Sequence, residues 1–252
     1  MTNLNTNLIG KVVRAFPELE STQSYAQELL ANSRPEEGTL VQASYQTKGK
    51  GFYRNTWESE AGKNLLFTII LYPAFLPVNR AFLLSQAMAL GVRDWVGRHV
   101  PNHVQVKWPN DIYIGEKKVA GILIQNAFSG TKIVHTVVGI GINVNQTEFP
   151  PELPNPVSMA GAVGTAFDLE RSLKEVCWHL EYWYLQLKAG DWGAVHTDYL
   201  RQLYGFGEQR SFIRRDGTEI QGRITGIAEN GHILIESAGK VFSFEMKEIQ
   251  FC

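Results

Sequence analysis

The sequence has little cysteine, no surplus of either charge and no long apolar run. Only two of its 252 residues are cysteines, Cys177 and Cys252, which excludes a disulfide scaffold and a cysteine-rich zinc site. The 24 lysines and arginines are matched by 25 acidic residues, so no basic excess favours nonspecific DNA binding. No apolar run approaches the roughly 18 residues of a membrane span, and the first residues lack the cationic and apolar regions of a secretory signal. With 44% hydrophobic and 19% charged residues, the chain is predicted to be a globular cytoplasmic protein.

Two kinds of pattern divide the chain near residue 204. Before it, amphipathic helices mix with hairpin-linked strands, which favours an α+β domain over residues 1–204. After it come short strands separated by the turn dipeptides Asp216-Gly217 and Asn230-Gly231, which predict a small β barrel over residues 205–252. The helices are expected at 24–30, where Ser24 and Gln27 have capping-box spacing, and at 81–95, 169–187 and 192–203. The strands are expected at 40–45, 65–72, 104–106, 112–114, 122–124, 133–144, 211–214, 219–226, 232–237 and 240–245, with 146–165 irregular.

Two of four polar segments lie in the first half of the chain. The glycine loop, residues 48–57, combines glycines with cations and so suits a phosphate or carboxylate, although a solvated surface loop is an equally good interpretation. Its spacing is neither that of a P-loop nor that of a Rossmann turn. The second segment is Lys107-Trp108-Pro109-Asn110-Asp111. A tryptophan beside lysine, asparagine and aspartate is unusual for an ordinary proline turn, which favours a functional role.

The other two segments belong to apolar strands. Lys118 and Gly121 follow a turn, and a two-residue loop at Glu116 and Lys117 would place Asp111 and Lys118 on one face of the hairpin. A slip of one residue would separate them. In the last segment Gly139 and Gly141 alternate along a strand and Asn143 continues the same face. Either the strand packs closely against a neighbour, or this face forms a slot for a slender ligand with Asn143 as a polar contact.

These segments, in this order and at these intervals, resemble the signature of the biotin–protein ligases. Ser21-Thr22-Gln23 is similar to the Ser-Thr-Asn segment of that family, and Tyr45-Gln46 to its Tyr-Gln. The resemblance extends from about residue 9 to the end of the chain. It implies a class II synthetase-like mixed sheet with flanking helices, followed by an SH3-like barrel. Each motif alone is only suggestive, but the ordered set is highly specific.

The resemblance also implies a two-step reaction that consumes ATP and biotin and requires Mg²⁺. Biotinyl-5′-AMP forms first, and a lysine of a biotin carboxyl carrier protein then takes the biotin. The implied catalytic residues are Lys118, as a cation beside the carboxylate and the α-phosphate, and Asp111. Biotin contacts are implied for Ser21, Thr22, Gln23, Gln46, Gly49, Lys50, Gly51, Phe52, Lys118 and Gly121. Nucleotide contacts are implied for Lys50, Arg54, Asn55, Trp57, Asn110, Lys118 and Asn143, and no metal-ligating cluster is expected.

Two other functions compete with this one. Lipoate–protein ligases share the catalytic fold, and the Lys-Trp-Pro-Asn-Asp segment argues for biotin instead. A sensor that binds biotin or a nucleotide without turnover needs no cation at a leaving phosphate, so Lys118 beside Asp111 argues against it. Some relatives carry an N-terminal DNA-binding domain. Here the biotin segment begins at Ser21 and the net charge is −1, so we expect a monofunctional ligase that binds neither DNA nor membranes. A homodimer is compatible with this expectation.

The glycine loop departs from the pattern of the family, which reads Gly-Arg-Gly-Arg/Gln-x-Gly-Arg/Asn-x-Trp. Lys50 replaces the first arginine and cannot make a bidentate contact, while Phe52 has no hydrogen-bond donor. Arg54 stands where a glycine is expected. We predict that Arg54 partly replaces the lost arginine as a clamp on biotinyl-adenylate; the alternative is a solvated loop residue.

Overall fold

The computed structural model describes residues 6–52, 55–101 and 103–252, which form an α+β fold with two sheets. The first is a seven-stranded mixed sheet in the order β1-β2-β3-β7-β6-β5-β4, in which β1 and β2 are parallel and the other neighbours antiparallel. Its strands are β1 (Val13–Leu19), β2 (Leu40–Gln46), β3 (Leu65–Leu71), β4 (Val104–Lys107), β5 (Asp111–Ile114), β6 (Lys117–Ser129) and β7 (Lys132–Ile142). The helices are α1 (Thr22–Asn32), α2 (Phe82–His99), α3 (Met159–Val163), α4 (Leu169–Ala189) and α5 (Trp192–Arg201), with a 3-10 turn at Val78–Arg80.

The second sheet, called the C-terminal sheet below, is antiparallel with the order β11-β10-β9-β8-β12. Its strands are β8 (Gln209–Arg214), β9 (Glu219–Ile227), β10 (Ile233–Ser237), β11 (Lys240–Phe244) and β12 (Ile249–Phe251). The α+β class and the change of pattern after the last helix are therefore as expected. The division of the chain at residue 204 into two domains stays a proposal.

The two faces of the large sheet differ. Because side chains alternate along a strand, Val138, Ile140 and Ile142 of β7 enter the main core with α2, α4 and α5. The opposite face carries Val137 in a small cluster under α1. Gly139 and Gly141 continue that second face beyond the cluster, where they leave the sheet free of large side chains. Helix α1 covers only the part of this face that carries the cluster, and the remaining area is available for a site.

Most differences from the predicted helices and strands occur in elements whose burial leaves no regular apolar pattern in the sequence. Strand β1 was not predicted, because it is a largely exposed edge strand with no apolar alternation that pairs only with β2 in the sheet order. The capping box at Ser24 and Gln27 is wrong as a helix start. The N-cap is Ser21, whose Oγ accepts the Ser24 N–H at 3.4 Å, so α1 begins at Thr22. The short elements α3 and β12 were also missed.

A buried carboxylate fixes the first described residues to the body of the fold. Glu181 of α4 accepts the backbone N–H groups of Asn7, Leu8 and Ile9 at 2.8, 2.6 and 2.7 Å. The Glu181 residue is 6% exposed. Its lone pairs are thus satisfied by main-chain donors.

Among the described residues, no helix is both long and apolar enough to cross a membrane.

Candidate active site

A cavity of about 680 Å³ opens on the glycine face of the large sheet, between α1, the glycine loop and segment 149–156. Of the predicted site residues that the structure describes, all but Gly49 line the cavity. These lining residues are Ser21, Thr22, Gln23, Gln46, Lys50, Gly51, Phe52, Asn55, Trp57, Asn110, Asp111, Lys118, Gly121 and Asn143. The sequence analysis missed Thr68 and the proline-rich segment, for which the sequence offered no signal beyond irregularity.

Lys118 and Asp111 meet at the centre of this cavity. The Lys118 ammonium lies 2.7 Å from the Asp111 carboxylate, and the two side chains are 33% and 25% exposed. The loop that joins β5 and β6 is Gly115-Glu116, not Glu116-Lys117 as the sequence analysis assumed, so Lys118 faces Tyr113. The pairing at Lys118 therefore differs by two residues from the assumed register, which keeps its side chain on the assumed face. A bulge between Ile112 and Tyr113 reduces the difference to one residue at Asp111, which pairs with Gly121. The expected meeting of the two charges is therefore found despite the wrong loop.

Two asparagines flank the ion pair. Asn110 donates its amide N–H to the carbonyl of Ile122 at 2.6 Å, which fixes it between β5 and β6. Asn143 donates to the carbonyl of Val157 at 3.2 Å. The Asn143 Oδ1 is buried and has no hydrogen-bond partner in the described part of the chain. A buried acceptor without a partner is costly, which is typical of an atom reserved for a ligand.

Trp57 lies against the glycines of β6 and β7. A Cβ built on Gly141 would fall 2.4 Å from the indole, and one on Gly121 would fall 3.0 Å from it. These glycines are therefore required for the tryptophan to approach the sheet. Of the two alternatives for this strand, close packing holds at Gly141, where the neighbour is the Trp57 indole, although Gly141 still lines the cavity. The Lys118 ammonium stands 5.7 Å from the centroid of the ring.

The glycine loop is a narrow hairpin. Trp57 N–H donates to the Gly49 carbonyl at 3.0 Å, and Gly51 N–H to the Asn55 carbonyl at 2.8 Å. A Cβ on Gly49 would lie 2.4 Å from the Trp57 carbonyl oxygen, so any other residue there would open the hairpin. Lys50 and Phe52 of this loop line the cavity. Arg54, the predicted clamp, lies outside the described residues, and its role stays a prediction.

Two glutamine amides at the end of the cavity near α1 are held in opposite orientations. Gln46 Oε1 accepts the Thr22 N–H at 2.7 Å and the Thr22 hydroxyl at 3.0 Å, so its Nε2 is left as a donor. Gln23 Nε2 donates to Gln125 Oε1 at 2.9 Å and to the Val137 carbonyl at 3.3 Å. Its Oε1 is turned to the glycine face, 2.5 Å from the position of a Cβ on Gly139. The wall thus presents one fixed donor and one fixed acceptor.

Comparison with known proteins identifies the family. Residues 15–143 match the model of the biotin/lipoate A/B protein ligase family. The bifunctional ligase/repressor BirA of Bacillus subtilis is 30% identical over 237 residues, which cover 93% of this chain and 72% of that one. This chain belongs to the biotin/lipoate A/B protein ligase family. A biotin–[acetyl-CoA-carboxylase] ligase of Paracoccus denitrificans is 31% identical over 202 residues, covering 77% of this chain and 82% of that ligase.

A solved structure gives the same result for the fold of this family member. The biotin protein ligase of Aquifex aeolicus, in complex with biotin and ATP, aligns with a TM-score of 0.80 and 26% identity. The alignment covers 96% of this chain and all of that one. The resemblance to biotin–protein ligases inferred from the sequence is therefore confirmed.

The first two residues of the Lys-Trp-Pro-Asn-Asp segment, for which a functional role was favoured, do not line the cavity. Trp108 is 5% exposed and donates its Nε1–H to the carbonyl of Gly231 in the C-terminal sheet at 2.9 Å. The ammonium of Lys107 stands 4.6, 5.5 and 5.2 Å from the ring centroids of Tyr113, Tyr204 and Phe251. Burial lowers the pKa of Lys107 below the ordinary lysine value, an effect that the nearby Asp111 carboxylate opposes. The first two residues of the Lys-Trp-Pro-Asn-Asp segment thus join the two sheets.

Proposed function

We propose that this chain uses ATP to join biotin to a lysine of a biotin carboxyl carrier protein or domain, through biotinyl-5′-AMP. In the first step a biotin carboxylate oxygen attacks the α-phosphorus of ATP, and the bond to pyrophosphate breaks. In the second step the lysine amine attacks the carbonyl carbon of the mixed anhydride, and AMP leaves with the bonding electrons. The proposal rests on the family, on the ligands of the similar enzymes and on the chemistry of the cavity.

The orientations of the Gln23 and Gln46 amides favour biotin over lipoate as the substrate. The ureido ring of biotin offers a carbonyl acceptor beside N–H donors, and the fixed Gln46 donor and Gln23 acceptor complement that pair. Gln23 is 3% exposed, so its acceptor is shielded from water. The dithiolane ring of lipoate has neither group, so it would give no partner to the Gln46 Nε2 donor and leave Gln23 Oε1 with only the Thr68 hydroxyl at 3.5 Å. We therefore prefer a biotin ligase to a lipoate ligase for this chain.

Lys118 has the role of stabilising charge in the first step. Its ammonium faces the open cavity beside Asp111, where negative charge builds as pyrophosphate departs. Asp111 orients the ammonium, and the anchored Asn110 keeps β5 and β6 in register beside it. Glycine at position 121 leaves room for the Lys118 side chain and the Trp57 indole, since a Cβ there would lie 3.3 and 3.0 Å from them. A sensor without turnover would gain nothing from this arrangement.

The residues present fit Mg²⁺ carried mainly by the nucleotide. No cluster of three or more histidine, cysteine or acidic residues is found in the described ranges. Mg²⁺ in phosphoryl-transfer sites takes substrate phosphates and a few protein oxygens, and keeps several waters. The unpartnered Asn143 Oδ1 is a suitable oxygen of this kind. When bound, the ion would neutralise triphosphate charge.

The experiment measures pyrophosphate release with biotin or lipoate as the acid. We expect release with biotin alone, and comparable turnover of lipoate would overturn the choice of substrate. Gln46→Glu replaces the donor by a carboxylate oxygen and should raise the KM for biotin about ten-fold or more, with the KM for ATP unchanged. Gln209→Glu is the control, because Gln209 is exposed, lies in β8 and does not line the cavity.

The remaining expectations stay predictions. The absence of DNA binding is supported by the net charge of −1, and a specific, salt-sensitive DNA complex would contradict it. A cytoplasmic location and a homodimer are likewise proposed.

A further inference from the structure

The main chain of Lys118 is held by a stretch of the proline-rich loop. The register of β6 with β7 begins at Ala120, after Lys118. At Lys118 itself the neighbour of β6 is a segment of residues 155–157, called the bracing segment below. The Lys118 N–H donates to the Asn155 carbonyl at 2.8 Å, and the Lys118 carbonyl accepts the Val157 N–H at 2.9 Å. Both main-chain hydrogen-bonding groups of the central cation in the cavity are therefore bonded to the bracing segment.

Asn155 has a backbone conformation that the local sequence does not favour. Its φ is 95°, in the left-handed region that asparagine adopts more readily than most residues with a Cβ. Asn155 also precedes Pro156, and a proline normally restricts the residue before it to extended backbone. Its N–H donates to the Leu153 carbonyl at 3.2 Å, and its side chain is exposed, so no side-chain packing requires this conformation. A disfavoured backbone that surrounding contacts maintain beside a site is typical of a functional constraint.

The side chain of Asn155 adds two contacts to the hairpin of β5 and β6. Its Nδ2 donates to the Glu116 carbonyl at 2.5 Å, in the turn that leads into β6. The amide also interacts with the Tyr113 hydroxyl of β5. Together with the bond from the Lys118 N–H, these contacts attach one exposed residue to the hairpin on both sides of its turn. The start of β6, which carries Lys118, is thus fixed by Asn155.

We propose that Asn155 is a positioning residue for adenylation, which fixes the backbone of Lys118 so that the ammonium stays directed into the cavity. Lysine has a flexible four-carbon stem, so the place of its ammonium depends on the backbone that carries it and on the partner carboxylate of Asp111. Asn155 acts through Lys118 and not on the reacting atoms. The inference rests on the proposed function, because it concerns the cation assigned there to the first step.

Pyrophosphate release by the full chain at saturating biotin tests this role. Asn155→Ala removes the amide and disfavours the positive φ, so kcat should fall about ten-fold with the KM for ATP unchanged, since a displacement of 1 Å can cost about 100-fold. Asn155→Gly accepts the left-handed backbone, keeps the carbonyl toward Lys118 and should recover most of the loss. A higher KM for ATP at unchanged kcat would make Asn155 a nucleotide contact and overturn the proposal.

Asn32→Ala is the matched control for these variants. Asn32, the last residue of α1, is an exposed asparagine that also donates its amide to a main-chain carbonyl, at 3.0 Å, and it does not line the cavity. Its replacement should leave both kcat and the KM for ATP at their wild-type values. Denaturant unfolding of each variant checks that the protein remains folded.

Two further variants test whether the effect passes through Lys118. Added to Lys118→Ala, Asn155→Ala should lower single-turnover adenylation no further. Tyr113→Phe removes the hydroxyl that the Asn155 amide contacts and should keep the wild-type kcat. An additive loss in the double variant would contradict the proposal, and so would a loss in Tyr113→Phe equal to that in Asn155→Ala.

Amide hydrogen exchange at Lys118 reports the same contact without substrates. Because the Lys118 N–H is bonded to the Asn155 carbonyl, its exchange should be about ten-fold faster in Asn155→Ala and near the wild-type rate in Asn155→Gly. Equal exchange rates in the wild type and Asn155→Ala would overturn the positioning role. Failure of the wild type to release pyrophosphate from ATP and biotin would instead overturn the proposed function, and the exchange rates would still decide whether Asn155 fixes Lys118.

Discussion

The segment from Lys107 to Asp111 serves two different regions of the molecule. Its last two residues, Asn110 and Asp111, line the cavity and meet β6 and Lys118. Its first two, Lys107 and Trp108, contact the C-terminal sheet through aromatic rings and a hydrogen bond. Pro109 marks the division between them. A motif that identifies a family can therefore combine chemistry with the joining of two parts of the fold, and the two uses should separate on mutation.

The largest expected effect is on the cavity side. Lys118→Ala removes the cation that faces the developing charge, so adenylation should fall about 100-fold to 1000-fold, by analogy with the loss of an oxyanion donor. Thermal unfolding should change little, because the side chain is partly exposed and its ion pair contributes little to stability. Lys117→Ala, an exposed neighbour on the same strand, is the control for pyrophosphate release. Normal turnover by Lys118→Ala would remove the assigned role.

The next effect is on the joining side and should appear in stability. Trp108→Phe leaves the buried Gly231 carbonyl without its donor, which should cost about 1–3 kcal/mol in the free energy of unfolding. Adenylation by the folded protein should stay near wild type. The measurement is denaturant unfolding beside pyrophosphate release, with Trp178→Phe, a half-buried tryptophan of α4, as the control. If Trp108→Phe lost adenylation at unchanged stability, the two uses would not be separate.

The smallest effect concerns Lys107. Lys107→Met keeps the apolar stem among the rings and removes the charge, so adenylation should remain within about three-fold of wild type. A loss as large as that of Lys118→Ala would show that Lys107 acts on the chemistry.

The same variant gives a test by pH. Because burial lowers the pKa of Lys107 in the folded state, the unfolded chain binds more protons just below the ordinary lysine pKa. In that pH window the ionisation of Lys107 makes the free energy of unfolding of the wild type increase with pH, and Lys107→Met should lack this increase. The measurement should stop below pH 10, since burial raises the pKa of Tyr113 to about 12 and adds the opposite slope above that point. Identical slopes for both proteins would contradict the assignment.

Sequence patterns predicted those helices and strands in which burial imposes a periodic pattern of apolar residues. Helices α2 and α4 and the strands β3 and β7 have apolar periodicities that burial enforces, and each was placed within a few residues. Strand β1 exists because β2 accepts a parallel neighbour, which is a property of the partner and leaves no periodicity in residues 13–19. Residue types in strands and turns singled out Asp111, Lys118 and Asn143, and the resemblance to a family added their roles and the site residues near α1.

Other features of the site depend on contacts that residue types alone do not specify. Lys107 and Asp111 are register partners on β4 and β5, yet Lys107 lies beside the Phe251 ring of the C-terminal sheet and Asp111 lines the cavity. The opposite orientations of Gln23 and Gln46 depend on Gln125, Val137 and Thr22, which lie on other elements. Tertiary contacts of this kind cannot be read from local sequence.

The carboxylate of Glu181 has a practical consequence for fusion proteins. It holds residues 7–9 against α4, on the face of the large sheet away from the cavity. The other terminus is different, since Phe251 packs over Lys107 and Lys247 reaches the glycine loop. An affinity tag should therefore be attached ahead of residue 6, where its linker starts from an anchored segment and leaves the contacts of the C-terminal residues intact.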